Sequence, residues 1–244
     1  MIGKVGGLRI VTIAVVLGLW ELLARSELLY EGVVPPLELI IIASFRQLTS
    51  ALIYRHLATT GLEIAIGFPA GLLSGVALGV LMGARRFFGR AVMPYVETFA
   101  TAPKIILLPI AMLLFGTGPE SKMALGALSC FFPVVLNTAA GMRHIDPVLI
   151  RVGRSFNLTR WQMVSKIYLP ALRQAIVTGM RLGLGLTVIG ILLAEIKLSN
   201  RGLGYLANEY YNNFRIPDLY ALLIFIFVLS IGANALISRL QSSR

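Results

Sequence analysis

Residues 57–82 read LATTGLEIAIGFPAGLLSGVALGVLM, an almost unbroken apolar run. A hydrocarbon core of about 30 Å is crossed by about 20 such residues in a helix, so this stretch is a spanning helix. Counting on by one residue, Gly67, Gly71, Gly75, Gly79 and Gly83 recur at every fourth position and share one helical face. A face without side chains lets another helix come close. In lipid, where van der Waals contact drives association, such faces mark helix interfaces. The expected neighbour is a helix of the same chain, with a second subunit as the alternative. Pro69, near the outer end of the span, is expected to bend it where neighbours satisfy the freed carbonyl.

Five further apolar stretches, 8–24, 91–115, 123–142, 175–196 and 219–237, have comparable length. The chain is 57% apolar and 14% charged, against about 45–50% and 25% in soluble proteins, so a large water-soluble domain is excluded. We expect an all-α membrane protein, a single transmembrane domain over 1–244 with about six helices in the lipid bilayer. A formal charge of +11 could suggest nucleic acid. No basic run interleaves with aromatics in a soluble segment, however, and cytoplasmic loops carry the same excess, so no nucleic-acid partner is expected. The N-terminal stretch has the look of a signal peptide, but Arg25, Ser26 and Glu27 offer no small-residue cleavage site, and a retained first span is expected.

With the N-terminus inside, the cytoplasmic segments hold thirteen basic residues: Lys4, Arg9, Arg85, Arg86, Arg90, Arg143, Arg151, Arg154, Arg160, Lys166, Arg173, Arg239 and Arg244. The opposite loops hold seven, Arg25, Arg46, Arg55, Lys122, Lys197, Arg201 and Arg215. The bias places both termini in the cytoplasm. Cys130, the only cysteine, lies in an apolar stretch and reads as packing. His56 and His144 are expected at the surface. With no H-E-x-x-H motif and no phosphate loop, GTGPESK having the wrong spacing, the chain is read as neither a metalloenzyme nor an ATPase.

The third span carries Pro94, Pro103 and Pro109 around Lys104 and should be broken or bent. Irregular backbone at membrane depth survives only against protein or a water-filled cavity, so this segment is expected to line a path. Ionisable and polar groups within spans point to function, which adds Asn137, Arg181 and Glu195 as candidates. An interfacial position is the alternative reading for Glu97, Lys104 and Arg181.

Between the fourth and fifth spans, loop 143–173 includes HIDPVLIRVGRSFNLTRWQMVSKIYLPALR (144–173). Asp146 can cap a short helix with Pro147 at its first position. Val148, Leu149, Val152 and Phe156 form one apolar face opposite Arg151 and Arg154. Asn157 suits the left-handed residue that ends such a helix. Thr159 and Gln162 have capping-box spacing and start a second helix over 160–168, on which Trp161, Val164 and Ile167 face apolar surface. A helical hairpin held between two spans suits transmission of a partner's movement; an amphipathic segment lying on anionic lipid is the alternative.

Within it, RSFNLTRWQMVSKIYLPAL (154–172) resembles the EAA loop of permease subunits of binding-protein-dependent ABC importers, with Arg154, Ser155, Arg160, Trp161, Gln162, Leu169 and Pro170 in register. Arg151, Val152 and Gly153 stand where the family has glutamate-alanine-alanine, and Asn157 where it has glycine. Arg151 thus reverses a charge that in the family helps engage the ATPase. Similarity to the nitrate, sulfonate and taurine branch runs from about His56 to Gln241 through IGFPAGLLSGVALGVLMG, LLPIAMLLFGTGPESK, FFPVVLNTAAGM and LLAEIKLSNRGLGYL.

The resemblance implies a type I importer permease of MetI-like fold, multi-pass in a bacterial inner membrane. It implies pairing with a second permease copy, most simply as a homodimer, two ABC ATP-binding subunits docked through the loop, and solute supplied by an extracytoplasmic solute-binding protein. ATP and magnesium would sit on the partner subunits, with no cofactor bound by this chain. The coupling residues so implied are Arg151, Gly153, Arg154, Ser155, Asn157, Thr159, Arg160, Trp161 and Gln162. The branch suggests a small anion or organic acid such as a sulfonate, taurine, nitrate or a carboxylate. An ion-coupled secondary carrier is the rival function, but no inverted repeat of the kind such carriers show is evident in the sequence.

Overall fold

A computed structural model describes residues 2–26 and 32–242, and no strand occurs among them. Glu27 and Arg244, used in the sequence reading, lie outside the described residues. The helices are α1 (Ile2–Arg25), α2 (Leu37–Thr49), α3 (Ala51–Ala84), α4 (Arg86–Thr101), α5 (Leu108–Phe115), α6 (Pro119–Arg143), α7 (Pro147–Ser155), α8 (Arg160–Met163), α9 (Leu169–Leu198), α10 (Leu203–Asn212) and α11 (Ile216–Ser242). Five of the described helices are long and apolar enough to span a membrane, and the bent pair α4 and α5 would make a sixth. The two short helices α2 and α10 do not stand out in the hydropathy pattern, because neither reaches spanning length.

α6 is the centre of the fold, packed on one side by α3 and on the other by α9. The expected glycine face of α3 makes the first contact, and its partner is a helix of the same chain. A Cβ on Gly67 would lie 2.7 Å from the Met123 carbonyl oxygen, and one on Gly75 would lie 2.9 Å from that of Phe131. Gly71 meets the Ala127 carbonyl closer still, Gly79 meets Thr138, and Gly83 meets Met142. α9 repeats the device: Cβ atoms on Gly183 and Gly190 would come within 2.7 Å of the Cys130 Sγ and Ser129 Oγ on α6. Cys130, caught between these faces, is fully buried, as its apolar setting suggests.

α4 and α5 meet at 94°. Pro103 disfavours a helical Ala102, which is extended at ψ 139°, so α4 ends at Thr101. A single 3₁₀ turn, Lys104–Leu107, then leads into α5, where Pro109 sits in the first turn and lacks no helical bond. On the periphery, α11 packs against α2, α9 and α10. Asp218 in its first turn holds Arg46 of α2 at 2.5 Å and Arg215 at 2.9 Å. The hydrogen bond from Arg46 to Asp218 raises the guanidinium's pKa above its usual value.

Leucine at Gly71 must displace the α6 backbone, whereas Gly61 on the same helix faces open space. Gly71→Leu should therefore lower stability by about 1–3 kcal/mol and Gly61→Leu by less than about 0.5 kcal/mol, read as thermal loss of the monodisperse peak in detergent.

Candidate functional site

The loop between α6 and α9 folds as its residues dictate. Asp146 Oδ1 accepts the Val148 N–H at 2.7 Å, and Pro147 occupies the first turn of α7. Asn157 adopts φ 50°, and the Leu158 N–H returns to the Gly153 carbonyl at 3.1 Å, closing the helix end. The Gln162 N–H then donates to Thr159 Oγ1 at 3.3 Å while the Thr159 N–H donates to Gln162 Oε1 at 2.9 Å, a complete capping box. α8 continues through one π turn, Val164–Tyr168, into α9, so that Arg160–Leu198 is one helical element of 39 residues.

α7 lies on this element through Gly153, where a Cβ would press on Met163 and Ile167. Its apolar face, however, is turned away from the protein. Val148, Leu149 and Val152 are exposed, and Phe156 and Trp161 are each 75% exposed. Ser155, Arg160 and Lys166 are exposed as well, and exposed apolar groups of this kind mark a protein or membrane contact surface. Arg151 and Arg154 line a cavity on the side of α7 that faces α4.

The candidate path residues do not converge. Lys104 donates to the Ala100 carbonyl at the broken end of α4 and lies 5.3 Å from the Phe132 ring centroid, so it caps the break. Glu97 is exposed. Asn137 Nδ2 bonds the Pro133 carbonyl at 2.8 Å beside the α9 contact, and Arg181 bonds Asn234 of α11 at 3.3 Å.

Glu195 has no exposed surface at all. Its Oε1 accepts from Thr60 Oγ1 at 2.6 Å and its Oε2 from the Gly204 N–H at 2.7 Å. Thr60 Oγ1 also accepts the Leu203 N–H at 2.8 Å, and His56 Nδ1 accepts the Gly202 N–H at 3.0 Å. The amides that open α10 are thus satisfied by side chains of α3 and α9, where a helix N-terminus favours negative charge. The expectation of a surface His56 is corrected: it is buried and stacked on Tyr205, because its ring nitrogen is needed by the Gly202 amide. Glu63, one turn along, is buried beside them, and its Oε2 has no hydrogen-bond partner among the described residues. The spacing of His56, Thr60 and Glu63 on one face of an apolar helix is the signal that identifies this network in the sequence. Gly202 at φ 106° leaves no room for a Cβ against the Glu195 carboxylate, which explains the glycines of the RGLG turn.

The family described as binding-protein-dependent transport system inner membrane component matches residues 67–243. The chain belongs to this family. This importer permease is 30% identical over 242 residues to the taurine transport system permease protein TauC of Escherichia coli K12, spanning 96% of this chain and 88% of that one. It is 31% identical to the aliphatic sulfonates permease SsuC of Bacillus subtilis, covering 79% and 70%. With the nitrate import permease NrtB of Synechocystis it shares 29%, covering 74% and 66%. In fold, the permease matches a chain of the inward-facing MetNI methionine ABC transporter with a TM-score of 0.69, 21% identity, and coverage of 78% of this chain and 95% of that one.

The protein is therefore the multi-pass inner-membrane permease subunit of an ABC importer, with ATP hydrolysis on a separate subunit. Membership implies an ATPase and a binding protein as partners. Thr159→Ala should destabilise the start of α8 by about 1 kcal/mol. Hydrogen exchange of the Arg160–Met163 amides should then quicken about fivefold, with exchange in α6 unchanged.

Proposed function

We propose that the exposed apolar rim of α7 and α8 is the surface on which two ATP-binding subunits act, carrying bound ATP and magnesium, and that α9 transmits their movement across the membrane. The supporting observation is continuity: the hairpin that exposes Phe156 and Trp161 is fused to a helix about 45 Å long whose far end, at Glu195, holds α10. Closure of the ATPases tilts α9 and opens the outer side, where the binding protein delivers solute between two copies of this chain. The α4–α5 break at Pro103, Lys104 and Pro109 lines the path, Asn137 and Arg181 brace α6 and α11 against α9 beside it, and Glu195 acts as a positioning residue for α10.

The taurine, sulfonate and nitrate named for the relatives share a small, negatively charged group, and the cargo class assigned here is a small sulfonate or related anion. Basic-residue bias supports a cytoplasmic position for the hairpin and both termini.

Replacing Phe156 and Trp161 together by alanine should reduce ATP-dependent uptake into proteoliposomes carrying permease, ATPase and binding protein at least tenfold, the size expected when two exposed aromatic anchors of about 1 kcal/mol or more are lost. Unchanged uptake would remove the docking assignment. In a Cys130→Ala background, a cysteine placed at Ser165 should react with a membrane-impermeant maleimide in inverted vesicles and not in intact cells. Labelling of intact cells would reverse the assigned orientation.

A further inference from the structure

Where α3 and α6 end and α9 begins, the chain encloses an open cavity of about 1130 Å³. Five arginines line it: Arg86 and Arg90 from α4, Arg143 from the last turn of α6, and Arg151 and Arg154 from α7. None of the five enters an ion pair among the described residues, where guanidinium–carboxylate contacts involve Arg25, Arg46 and Arg215. Asp146, the acid closest in sequence, spends its Oδ1 on the Val148 amide that it caps.

Beneath the arginines the floor is apolar. Met82, Met142 and Ile145 are buried there, and Met93 adds a further thioether. A concave site with a basic mouth and an apolar floor fits an amphipathic anion. Guanidinium forks match phosphate oxygens in pairs, and five convergent positive charges against the single nearby Asp146 raise the local concentration of anions. With α3, α6 and α9 taken as spans, their ends put the mouth at the level of lipid headgroups.

We propose that this cavity binds the phosphate of an anionic glycerophospholipid, with the glycerol and upper acyl segments against the methionine floor. Such basic pockets between spanning helices bind phosphate-bearing headgroups. A free phosphate ion would satisfy the arginines but leave the floor and most of the volume unused. The site bridges α4, which leads into the broken helix, and α7, which carries the exposed rim. The lipid therefore joins the loop to the membrane at the side of α7 opposite its partner-facing surface. The inference rests on these span ends lying at a membrane surface, not on the direction or cargo of transport.

The test is lipid binding by the delipidated full-length permease in detergent, read by native mass spectrometry with phosphatidylglycerol, cardiolipin and phosphatidylethanolamine as probes. The two anionic lipids should bind at least tenfold more tightly than the zwitterionic one. Arg86→Gln with Arg90→Gln should weaken them about thirtyfold, as expected for two basic residues at an anionic headgroup. Arg143→Gln alone should weaken them about fivefold, which serves if the double variant does not fold. Arg55→Gln with Arg201→Gln, at the opposite end of the helices, should leave binding unchanged. Equal affinity for the three lipids, equal losses in the control variant, or displacement of phosphatidylglycerol by millimolar inorganic phosphate would each overturn the proposal, the last by identifying a free anion as occupant. Because binding needs neither ATPase nor binding protein, a failed transport experiment would not alter this readout.

Discussion

Helices in lipid gain little from hiding apolar surface from one another, because the surrounding chains are equally apolar, so association depends on how closely backbones can approach. Here that condition is met twice on one helix. α6 receives the glycine face of α3 on one side and glycines of α9 on the other, with Cβ-sized gaps that its own carbonyls and side chains already fill. The three-helix core is close-packed, and neither contact leaves space for a side chain. The broken helix, the loop and the outer helix are all placed relative to it.

Packing of this kind suits α9 to the lever role proposed for it. One end is continuous with α8 through a π turn, and a capping box fixes where that helix starts. The other end carries Glu195, whose two oxygens join Thr60 of α3 to the first turn of α10. A polar network buried in a membrane protein carries a high cost if left incomplete, and this one is met mainly by backbone amides that α10 would otherwise leave unpaired. The buried Glu195 carboxylate therefore ties α10 to α3 and α9.

Proline at the α4–α5 junction produces the opposite property. Pro103 ends one helix, Pro109 begins the next, and Lys104 covers the carbonyl left between them. Irregular backbone is thus confined to one turn, between an ordered core and the segment that carries the bend.

Spanning stretches, the glycine face, the proline break and the two caps of the loop were legible in the sequence because each depends on residues within a few positions of one another: hydropathy over one span, spacing over one helical turn, a side chain reaching its own backbone. The resemblance of 154–172 to a known coupling loop is of the same local kind. What only the tertiary structure decided are matters of which face meets what. The glycines of α3 pack within the chain because α6 runs alongside them. His56 is buried because a turn some 146 residues later brings the Gly202 amide to it. The apolar face of α7 looks outward, and its arginines join three others from α4 and α6, because α7 rests on Gly153 against the helix that follows. No pattern within a single segment contains those distances, since they are set by how separate helices stack.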